Sequence, residues 1–301
     1  MSFEPLVTIV IPSYNHERYV VDSLKGVVSQ TYKNIELIVI DDGSTDSSVS
    51  KIESMFDVCR QRFKRFEFRS RPNKGLCATL NEALEWSQGE FFSLIASDDI
   101  LLENKTSVLV EVLKADNSIV AAFGGLELID DLNHPVARVY GADKVHTFDE
   151  IIMGETVPGA PAGLMRTNAL KNVGGYPEFL SVEDWYMWLT LTNTGHRLRS
   201  IKEPVVKYRI HENNTAKKYK LMHEQRLEIL SFFLQSPLYC RAVSRAHLTS
   251  AAEASSFPDA AFTLDMIRLA KGESYLLRYL YLIKSLLPKS VVKVAKKFLI
   301  K

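Results

Sequence analysis

The feature that most constrains the fold is the alternation of short apolar runs with longer helical patterns over the first 125 residues. The short runs are rich in β-branched and aromatic residues, which predicts strands at residues 6–11, 35–40, 66–69 and 91–95. Patterns of helical period separate them, at residues 17–30, 46–60 and 76–88, the last expected to end at Gly89. Strands that alternate with helices indicate βαβ units and a parallel sheet, so we predict an α/β fold.

Three polar clusters each follow a predicted strand directly. They are PSYN (12–15), DDGSTD (41–46) and SDD (97–99). Ligands of open α/β sheets bind in the crevice beyond the carboxyl ends of the strands. We therefore expect the three clusters to line one crevice, and we look for the functional residues there.

From residue 118 onward the pattern is mixed. It predicts strands at 118–129, 135–140, 197–201 and 205–209. A Gly- and Pro-rich stretch at 154–165 predicts a loop followed by a short strand, and residues 183–195 predict a helix. Beyond residue 216 nearly every segment has a helical pattern. We expect a first domain over 1–215 and a helical C-terminal region over 216–301.

The charge of the chain is balanced overall but divided along its length. Lys and Arg number 37 and Asp and Glu 36, which disfavours a uniformly basic nucleic-acid binder. Residues 216–301, however, carry 15 basic and 6 acidic side chains, and the last eighteen residues contain six lysines and no acid. This basic region, especially 275–301, predicts contact with an anionic membrane surface or another copy of the chain; alternatively, its lysines are solvated on a helical cap.

The remaining composition bears on location. The N-terminus lacks a basic segment followed by an apolar one, and no stretch reaches the ~18 apolar residues of a membrane span. We expect a cytoplasmic protein, at most peripheral on the inner face of the cytoplasmic membrane. The three cysteines, Cys59, Cys77 and Cys240, are too scattered for a disulfide framework or zinc site and are expected to be buried thiols.

Two of the polar clusters contain adjacent carboxylates. In DDGSTD, Asp41 and Asp42 precede Ser44, Thr45 and Asp46, any of which could cap the next helix, while one Asp could bind the N3–H of a uracil. In SDD, two neighbouring negative charges are costly without a cation, and oxygen ligands suit Mg²⁺ or Mn²⁺. The alternative for SDD is an N-cap of a predicted helix at 103–115.

Two later segments also carry chemical groups. Glu183 and Asp184 begin a helix rich in aromatic residues, where acids are favoured by the helix dipole or could act as a general base. His211 follows the last predicted strand. It is either an ordinary histidine or a contact to a metal or a diphosphate.

In its order of motifs, the chain resembles family 2 glycosyltransferases, the inverting group with the GT-A fold. The matching segments are IPSYN (11–15), SQTY (29–32), ELIVIDDGSTD (36–46), the Asn pair of 73–81, EWSQGE (85–90), SDD, LMRTNALKNVGGYPE (164–178), VEDWYMWLTL (182–191) and YRIHENNT (208–215). The resemblance covers about the first 215 residues. It implies a Rossmann-like, mostly parallel sheet with a helical C-terminal extension.

The resemblance also implies which residues hold the nucleotide. Pro12, Tyr14 and Asp42 match positions at the base, with Asp41 beside them. The asparagines Asn73 and Asn81 match positions that border the base and ribose.

Further matching positions concern the metal and the chemistry. Asp98 matches a ribose or metal contact, and Asp99 matches the metal-binding carboxylate of the DXD-type motif. His211 matches a metal or diphosphate contact. Asp184 matches the catalytic base, and Glu183 the residue beside it that helps to hold the acceptor. The implied cofactor is Mn²⁺ or Mg²⁺, bound mainly through Asp99.

The chain departs from the family pattern at three positions. Ala96 stands where the family often has the first Asp of D-x-D-D, which puts that ligand in doubt. Tyr186 and Thr190 replace an Asp and an Arg of the family helix, so the surroundings of Asp184 are expected to be unusual. The sequence also lacks the transmembrane helices of processive synthases, which favours the addition of one or a few sugars.

The resemblance implies an inverting, metal-dependent hexosyltransferase. The implied donor is a nucleotide sugar, with UDP favoured, and the implied acceptor is a glycan or a polyprenyl-diphosphate-linked saccharide of a surface polysaccharide such as an O-antigen. One alternative is a nucleotidyltransferase, but PSYNHERY (12–19) lacks the Gly-rich basic loop expected of that class. Another is a non-catalytic carbohydrate-binding scaffold, against which the retained Asp42, Asp99 and Asp184 argue.

Overall fold

The structure is a computed structural model that describes residues 4–155, 158–212, 214, 218–255, 257 and 259–286, with the side chains of 275 and 284–286 left out. Its contacts divide the chain into two compact units. The first comprises residues 1–148 and 157–211, and the second residues 149–156 and 212–301. The domain boundary expected near residue 215 stays a prediction.

The first unit is built on a ten-stranded sheet. The strands are β1 (Val7–Ser13), β2 (Ile35–Asp41), β3 (Arg65–Ser70), β4 (Phe91–Leu94), β5 (Ile100–Leu101), β6 (Ile119–Ile129), β7 (Pro135–Val139), β8 (Lys144–His146), β9 (Gly163–Arg166) and β10 (Arg197–Arg209). Their order is β3-β2-β1-β4-β9-β6-β10-β5, with β7 beside β6 and β8 beside β10. The strands β1 to β4, β6 and β10 share one direction, and the short strands β5, β7, β8 and β9 run against it.

Helices connect these strands and cover the sheet. They are α1 (Val20–Val28), α2 (Ser48–Glu53), α3 (Phe56–Arg62), α4 (Leu76–Trp86), α5 (Lys105–Ala115), α6 (Phe148–Ile152), α7 (Thr167–Asn172) and α8 (Asp184–Asn193), with a 3₁₀ turn at Ala160–Ala162. Every residue of β2 is buried, because helices lie on both faces of a parallel sheet. Burial of this apolar sheet is the main driving force for the fold.

The register of the parallel strands places the three polar clusters at one edge of the sheet. Ser13 at the end of β1 lies beside Asp41 at the end of β2, and Val10 pairs with Leu94 at the end of β4. The residues that follow all three strands therefore leave the sheet on the same side. The α/β fold predicted from the alternation of strands and helices is confirmed.

Several predicted boundaries of helices and strands are wrong. The helix predicted at 46–60 is two helices, α2 and α3, and the two strands predicted at 197–201 and 205–209 are one strand, β10. Its register is irregular around Pro204, which has no N–H to donate to a neighbouring strand. The helix α4 ends at Trp86 rather than at Gly89. Gly89 instead allows close packing, since a Cβ there would lie 2.5 Å from Thr8 Oγ1.

The second unit is helical, as expected for the C-terminal region. It contains residues 149–152 of α6 together with α9 (Tyr219–Ser231), α10 (Tyr239–Ala254), α11 (Ala260–Leu269) and α12 (Tyr275–Leu286). Leu248 and Ala251 of α10 pack with Met266 and Ile267 of α11 in a small apolar core. Among the described residues, no helix has the length and apolar character needed to cross a membrane.

The three cysteines differ in exposure. Cys59 and Cys77 are buried, as predicted. Cys240 is exposed at the start of α10, so the prediction of a buried thiol is wrong there. The sequence around Cys240 is apolar, but its position on the helix faces solvent.

Candidate active site

The turns that follow β1 and β2 are bound to each other. The amide of Asn15 donates to Ser44 Oγ over 2.9 Å, and Asn15 Oδ1 accepts the amide of Thr45 over 2.8 Å. Asn15 adopts the left-handed conformation, with φ of 53°, which asparagine tolerates better than most residues. The clusters PSYN and DDGSTD thus meet at the predicted edge.

The two adjacent carboxylates of the DDGSTD cluster have partners within the protein. Asp41 accepts the amide of Ser44 and closes its own turn. Asp42 accepts the amides of Lys74 and Gly75 over 2.8 and 2.9 Å and forms an ion pair with Arg71. Of the three residues that could cap the following helix, Asp46 accepts the amide of Ser48, the first residue of α2, over 2.9 Å, although Ser47 holds the N-cap position. Asp42 organises the loop that leads into α4.

Gly43 lies between these two attachments. It has φ of +79°, and a Cβ on it would lie 2.7 Å from the backbone N of Asn73. Only glycine fits such a close approach in this conformation. The loop that carries Asn73 can therefore pack directly against the turn that carries Asp42.

The other predicted nucleotide residues have different surroundings. Tyr14 is 49% exposed at this edge, so its ring is available to stack on a base. Pro12 is half-buried at the end of β1, and Asn73 is exposed. Asn81, in contrast, uses both ends of its amide on the backbone of Tyr176, at 2.8 Å each. Its side chain joins α4 to the segment before α8, and its predicted nucleotide contact has no support from this geometry.

A group of metal-ligating type lies at the same edge. One ligand atom each from His16, Asp98 and His211 falls within 4.8 Å of the others. His211 Nε2 lies 2.8 Å from Asp98 Oδ2, and His16 Nδ1 lies 2.7 Å from Ser97 Oγ. Burial lowers the pKa of His16, which favours the neutral imidazole that a metal requires. Two of the three residues, Asp98 and His211, are predicted ligands.

His16 is the ligand that sequence reasoning missed. It directly follows PSYN, so its position after the first strand was a signal available in the sequence. A lone histidine on a turn is common, however, and only the approach of His211 from the distant strand β10 makes it part of a group.

Tyr19 and Arg209 support this group. The ring of Tyr19 stacks on that of His211 with 5.4 Å between centroids, and the Arg209 guanidinium lies 4.6 Å from the Tyr19 ring. Arg209 Nε also donates to the carbonyl of Asp98 over 2.7 Å. The side chains that surround Asp98 and His211 are therefore held from two sides, as ordered metal ligands usually are.

Asp99, predicted to be the principal ligand, lies deeper. It is 1% exposed, and its Oδ1 accepts the amide of Arg209 over 2.8 Å. Burial and the neighbouring charge of Asp98 raise the pKa of its carboxyl well above the usual range. The geometry therefore places Asp98, rather than Asp99, with the two histidines. The alternative that SDD caps the helix at 103–115 is wrong, because β5 intervenes and α5 begins at Lys105.

Glu183 and Asp184 begin α8, as predicted. Burial and the charge of Asp184 raise the pKa of Glu183 to about 8. Burial also raises the pKa of Asp184, while hydrogen bonds from the backbone N–H groups of Trp185 and Ala160 oppose that rise. Both carboxyls of the pair therefore have raised pKa values, and that of Glu183 lies near neutral pH.

Tyr208 links the two parts of the site. Burial raises its pKa to about 12, and the charges of Asp98, Asp99, Glu183 and Asp184 all add to that rise. Its hydroxyl is therefore within electrostatic reach of both carboxylate pairs. Tyr208 of β10 is thus the one of these side chains on which the charges of both pairs act.

The fold is the GT-A fold. The mannosyltransferase PcManGT from Pyrobaculum calidifontis, solved with GDP-Man and Mn²⁺, shares it and superposes with a TM-score of 0.60 at 16% identity. The alignment covers 94% of this chain and 86% of that one.

Sequence comparison identifies the family. Residues 8–151 match the model of the family described as "Glycosyl transferase family 2". An uncharacterized glycosyltransferase of Rickettsia typhi, RT0329, is 30% identical over 224 residues, which cover 71% of this chain and 67% of the relative. The Escherichia coli enzyme WfgD, a UDP-Glc:alpha-D-GlcNAc-diphosphoundecaprenol beta-1,3-glucosyltransferase, is 29% identical over 77% of this chain and 88% of its own length. The chain belongs to glycosyl transferase family 2 and is a glycosyltransferase.

Proposed function

We propose that this glycosyltransferase moves a hexose from a UDP-sugar to a lipid-linked diphosphate saccharide, with inversion at the anomeric carbon. The observation that carries the proposal is the metal-ligating group of His16, Asp98 and His211, and the Glu183–Asp184 pair at the start of α8 supplies the acid–base groups. The similarity to WfgD, whose name specifies UDP-Glc and a diphosphoundecaprenol acceptor, supports the choice of both substrates. Membership of the family disfavours the nucleotidyltransferase alternative.

On the donor side, the turns after β1 and β2 bind the nucleotide. Tyr14 offers an exposed ring for the base, and Pro12 lines the same edge. Asp41 closes the turn after β2, and Asp42, which holds the loop before α4, is the carboxylate proposed to contact the base. Asn73 borders the base from the neighbouring loop.

The donor set fits a divalent transition metal. Two imidazole ligands beside one carboxylate favour a transition metal over Mg²⁺, which prefers oxygen ligands and water. We therefore favour Mn²⁺ over Mg²⁺, held by Asp98, His211 and His16. When bound, such an ion supplies positive charge to the diphosphate leaving group.

On the acceptor side, Asp184 acts as the general base. Its carboxylate removes the proton from the acceptor hydroxyl, whose oxygen attacks the anomeric carbon from the face opposite the nucleotide. Glu183, which retains its proton near neutral pH, donates a hydrogen bond that orients the acceptor. An α-linked donor gives a β-linked product.

Calorimetry tests the donor assignment. We expect UDP to bind in the presence of Mn²⁺ and to lose affinity when EDTA replaces the metal, and GDP to bind more weakly because a purine does not fit the proposed N3–H contact of a pyrimidine; dTDP, whose thymine keeps that N3–H, is titrated in parallel. Transfer from UDP-glucose to α-D-GlcNAc-diphosphoundecaprenol then tests the acceptor. Binding of GDP in preference to UDP, or binding of no nucleotide, would contradict the proposal.

The acceptor class leads to a proposal about location. One face of α12 packs on the core of the second unit, through Leu277, Tyr281 and Leu282. Side chains at helical spacing on its other side are exposed, namely Leu276, Tyr279, Leu280 and Ile283. The basic residues predicted to bind lipid at 287–301 lie outside the described residues. This apolar helix face, together with the six lysines that the sequence carries at 284–301, favours an anionic lipid surface, to which each lysine contributes about 1 kcal/mol.

A vesicle experiment tests the location. Deletion of residues 284–301, or the substitution Leu280→Glu, is expected to abolish sedimentation with phosphatidylglycerol vesicles at low salt. Leu234→Glu is the matched control, since Leu234 is also exposed in the second unit but lies outside α12. Equal sedimentation of all variants, or binding that does not fall as salt is raised, would contradict the proposal.

A further inference from the structure

Lys105 is a buried cation that the proposed mechanism does not use. It begins α5, is 1% exposed, and its Nζ donates to Ser93 Oγ over 2.7 Å and to the Pro161 carbonyl over 2.8 Å. Taking an ammonium group out of water is costly unless it is well bonded. An apolar side chain of similar length could fill the same space. The presence of a charged amine here therefore indicates that its hydrogen bonds have a role.

What Lys105 holds is the segment beside the proposed base. Ser93 Oγ, which accepts from Lys105, donates to the Gly163 carbonyl over 2.9 Å. Lys105 thus anchors the 3₁₀ turn Ala160–Ala162 directly at Pro161 and indirectly at Gly163. The segment also contacts α8, since Trp188 Nε1 donates to the Pro158 carbonyl over 2.9 Å, and the backbone of Ala160, one residue before Pro161, lowers the pKa of the Asp184 carboxyl.

We propose that Lys105 is a positioning residue for Asp184: it fixes the 3₁₀ turn so that the Ala160 N–H stabilises and aims the carboxylate. The inference rests on the proposed function, in which Asp184 is the base. A hydrogen bond to an ionised acceptor favours the ionised form. Without Lys105, the Pro161 carbonyl and Ser93 lose their partner, the turn relaxes, and Asp184 becomes a poorer base at a given pH.

Lys105 could have a second role, which is to neutralise the charge of Asp99, and the experiment must distinguish that role from the positioning of Asp184. Asp99 lies near Lys105, and each favours the charged form of the other. Asp99 Oδ2 is buried and has no hydrogen-bond partner among the residues that the structure describes. If Lys105 served only to neutralise Asp99, its loss would disturb the neighbouring Asp98 and thereby the donor side. The positioning role, in contrast, predicts an effect on the chemical step with little change in donor binding.

The experiment compares Lys105→Met with Lys114→Met, which removes an exposed lysine from the same helix. The probe is UDP release from UDP-glucose with Mn²⁺ and water as acceptor, measured as kcat and KM across pH, together with UDP affinity by calorimetry. For Lys105→Met we expect kcat to fall about tenfold to a hundredfold, as for the loss of one hydrogen bond to a charged group. UDP affinity should stay within about twofold of the parent value, and Lys114→Met should behave as the parent.

The pH profile distinguishes positioning from general destabilisation. Loss of the Ala160 hydrogen bond raises the pKa of Asp184, so the acidic limb of kcat should move to higher pH. The titratable groups that act on Asp184 are Glu183 on the same helix, Tyr176 before it and Tyr208 of β10, and none of them is altered by the substitution. An unshifted limb, or a loss of UDP affinity equal to the loss of kcat, would overturn the inference.

A second variant covers the case in which Lys105→Met fails to fold. Ser93→Ala retains the buried charge and the bond to Pro161 but removes the link to Gly163, so it should shift the limb in the same direction by a smaller amount. Asp184→Asn, measured in parallel, separates the two proposals. If Asp184→Asn releases UDP at the parental rate, the proposed base and this inference both fail. If Asp184→Asn is inactive while Lys105→Met and Ser93→Ala match the parent, only this inference fails.

Discussion

Asp184→Asn is expected to lower sugar transfer by about 10²- to 10⁴-fold, the range for loss of a general base. The amide has the same shape as the carboxylate and can still accept from the N–H groups of Trp185 and Ala160. It cannot take a proton from the acceptor. Because Asp184 lies on the acceptor side of the proposed mechanism, the affinity for UDP with Mn²⁺ should remain within about twofold.

The pH dependence of the parent enzyme belongs to the same prediction. Burial raises the pKa of Asp184 above its ordinary value, so the general base is lost as the pH falls through that raised pKa. The acidic limb of kcat should therefore lie above the pH of about 3.9 that an exposed aspartate would give. Asp57→Asn is the control, since Asp57 is exposed on α3. Loss of UDP affinity in Asp184→Asn would assign this residue to the donor instead.

Asp98→Ala is expected to remove most of the metal-dependent affinity for UDP. The carboxylate of Asp98 contributes an oxygen to the group formed with His16 and His211, and nearby residues hold it in place. Since loss of even an outer-shell partner costs about 10- to 100-fold in metal affinity, removal of the ligand itself should cost at least that much. The two readouts are Mn²⁺ binding by electron paramagnetic resonance and UDP calorimetry with and without EDTA.

The comparison with Asp99→Ala decides between two assignments. The resemblance to the family makes Asp99 the principal ligand, whereas the geometry places Asp98 with the histidines. Substitutions His16→Ala and His211→Ala should also weaken Mn²⁺ binding, and Asp57→Ala should not. If Asp99→Ala abolishes Mn²⁺ binding while both histidine variants retain it, the three-residue group is not the metal site.

Much of this protein could be predicted from local patterns. Apolar runs such as 6–11 and 35–40 predict buried strands whatever their neighbours, because few other structures bury so many consecutive β-branched residues. Polar clusters directly after those runs then identify one edge of the sheet, since parallel strands end on the same side. The position of Glu183 and Asp184 at a helix start was also evident, because acidic residues are favoured there.

Boundaries and partners depended on contacts between distant segments. The two predicted strands at 197–201 and 205–209 become one because both halves pair with β6, and pairing partners cannot be seen in a local pattern. Asn81 has the sequence context of a ligand residue, yet its amide is bonded to the backbone of Tyr176. A side chain with several possible partners takes those that the folded chain brings near.

The sequence by itself determined the α/β class, the edge of the sheet that carries the polar clusters and the acidic pair of α8. These follow from periodicity and from the direction of parallel strands, which are local properties. Only the tertiary structure brought His16 to Asp98 and His211, placed Asp99 beneath them and connected Lys105 to the turn beside Asp184. Those contacts join residues from separate strands and loops, and hydrogen bonds of about 3 Å form only after the whole sheet is assembled.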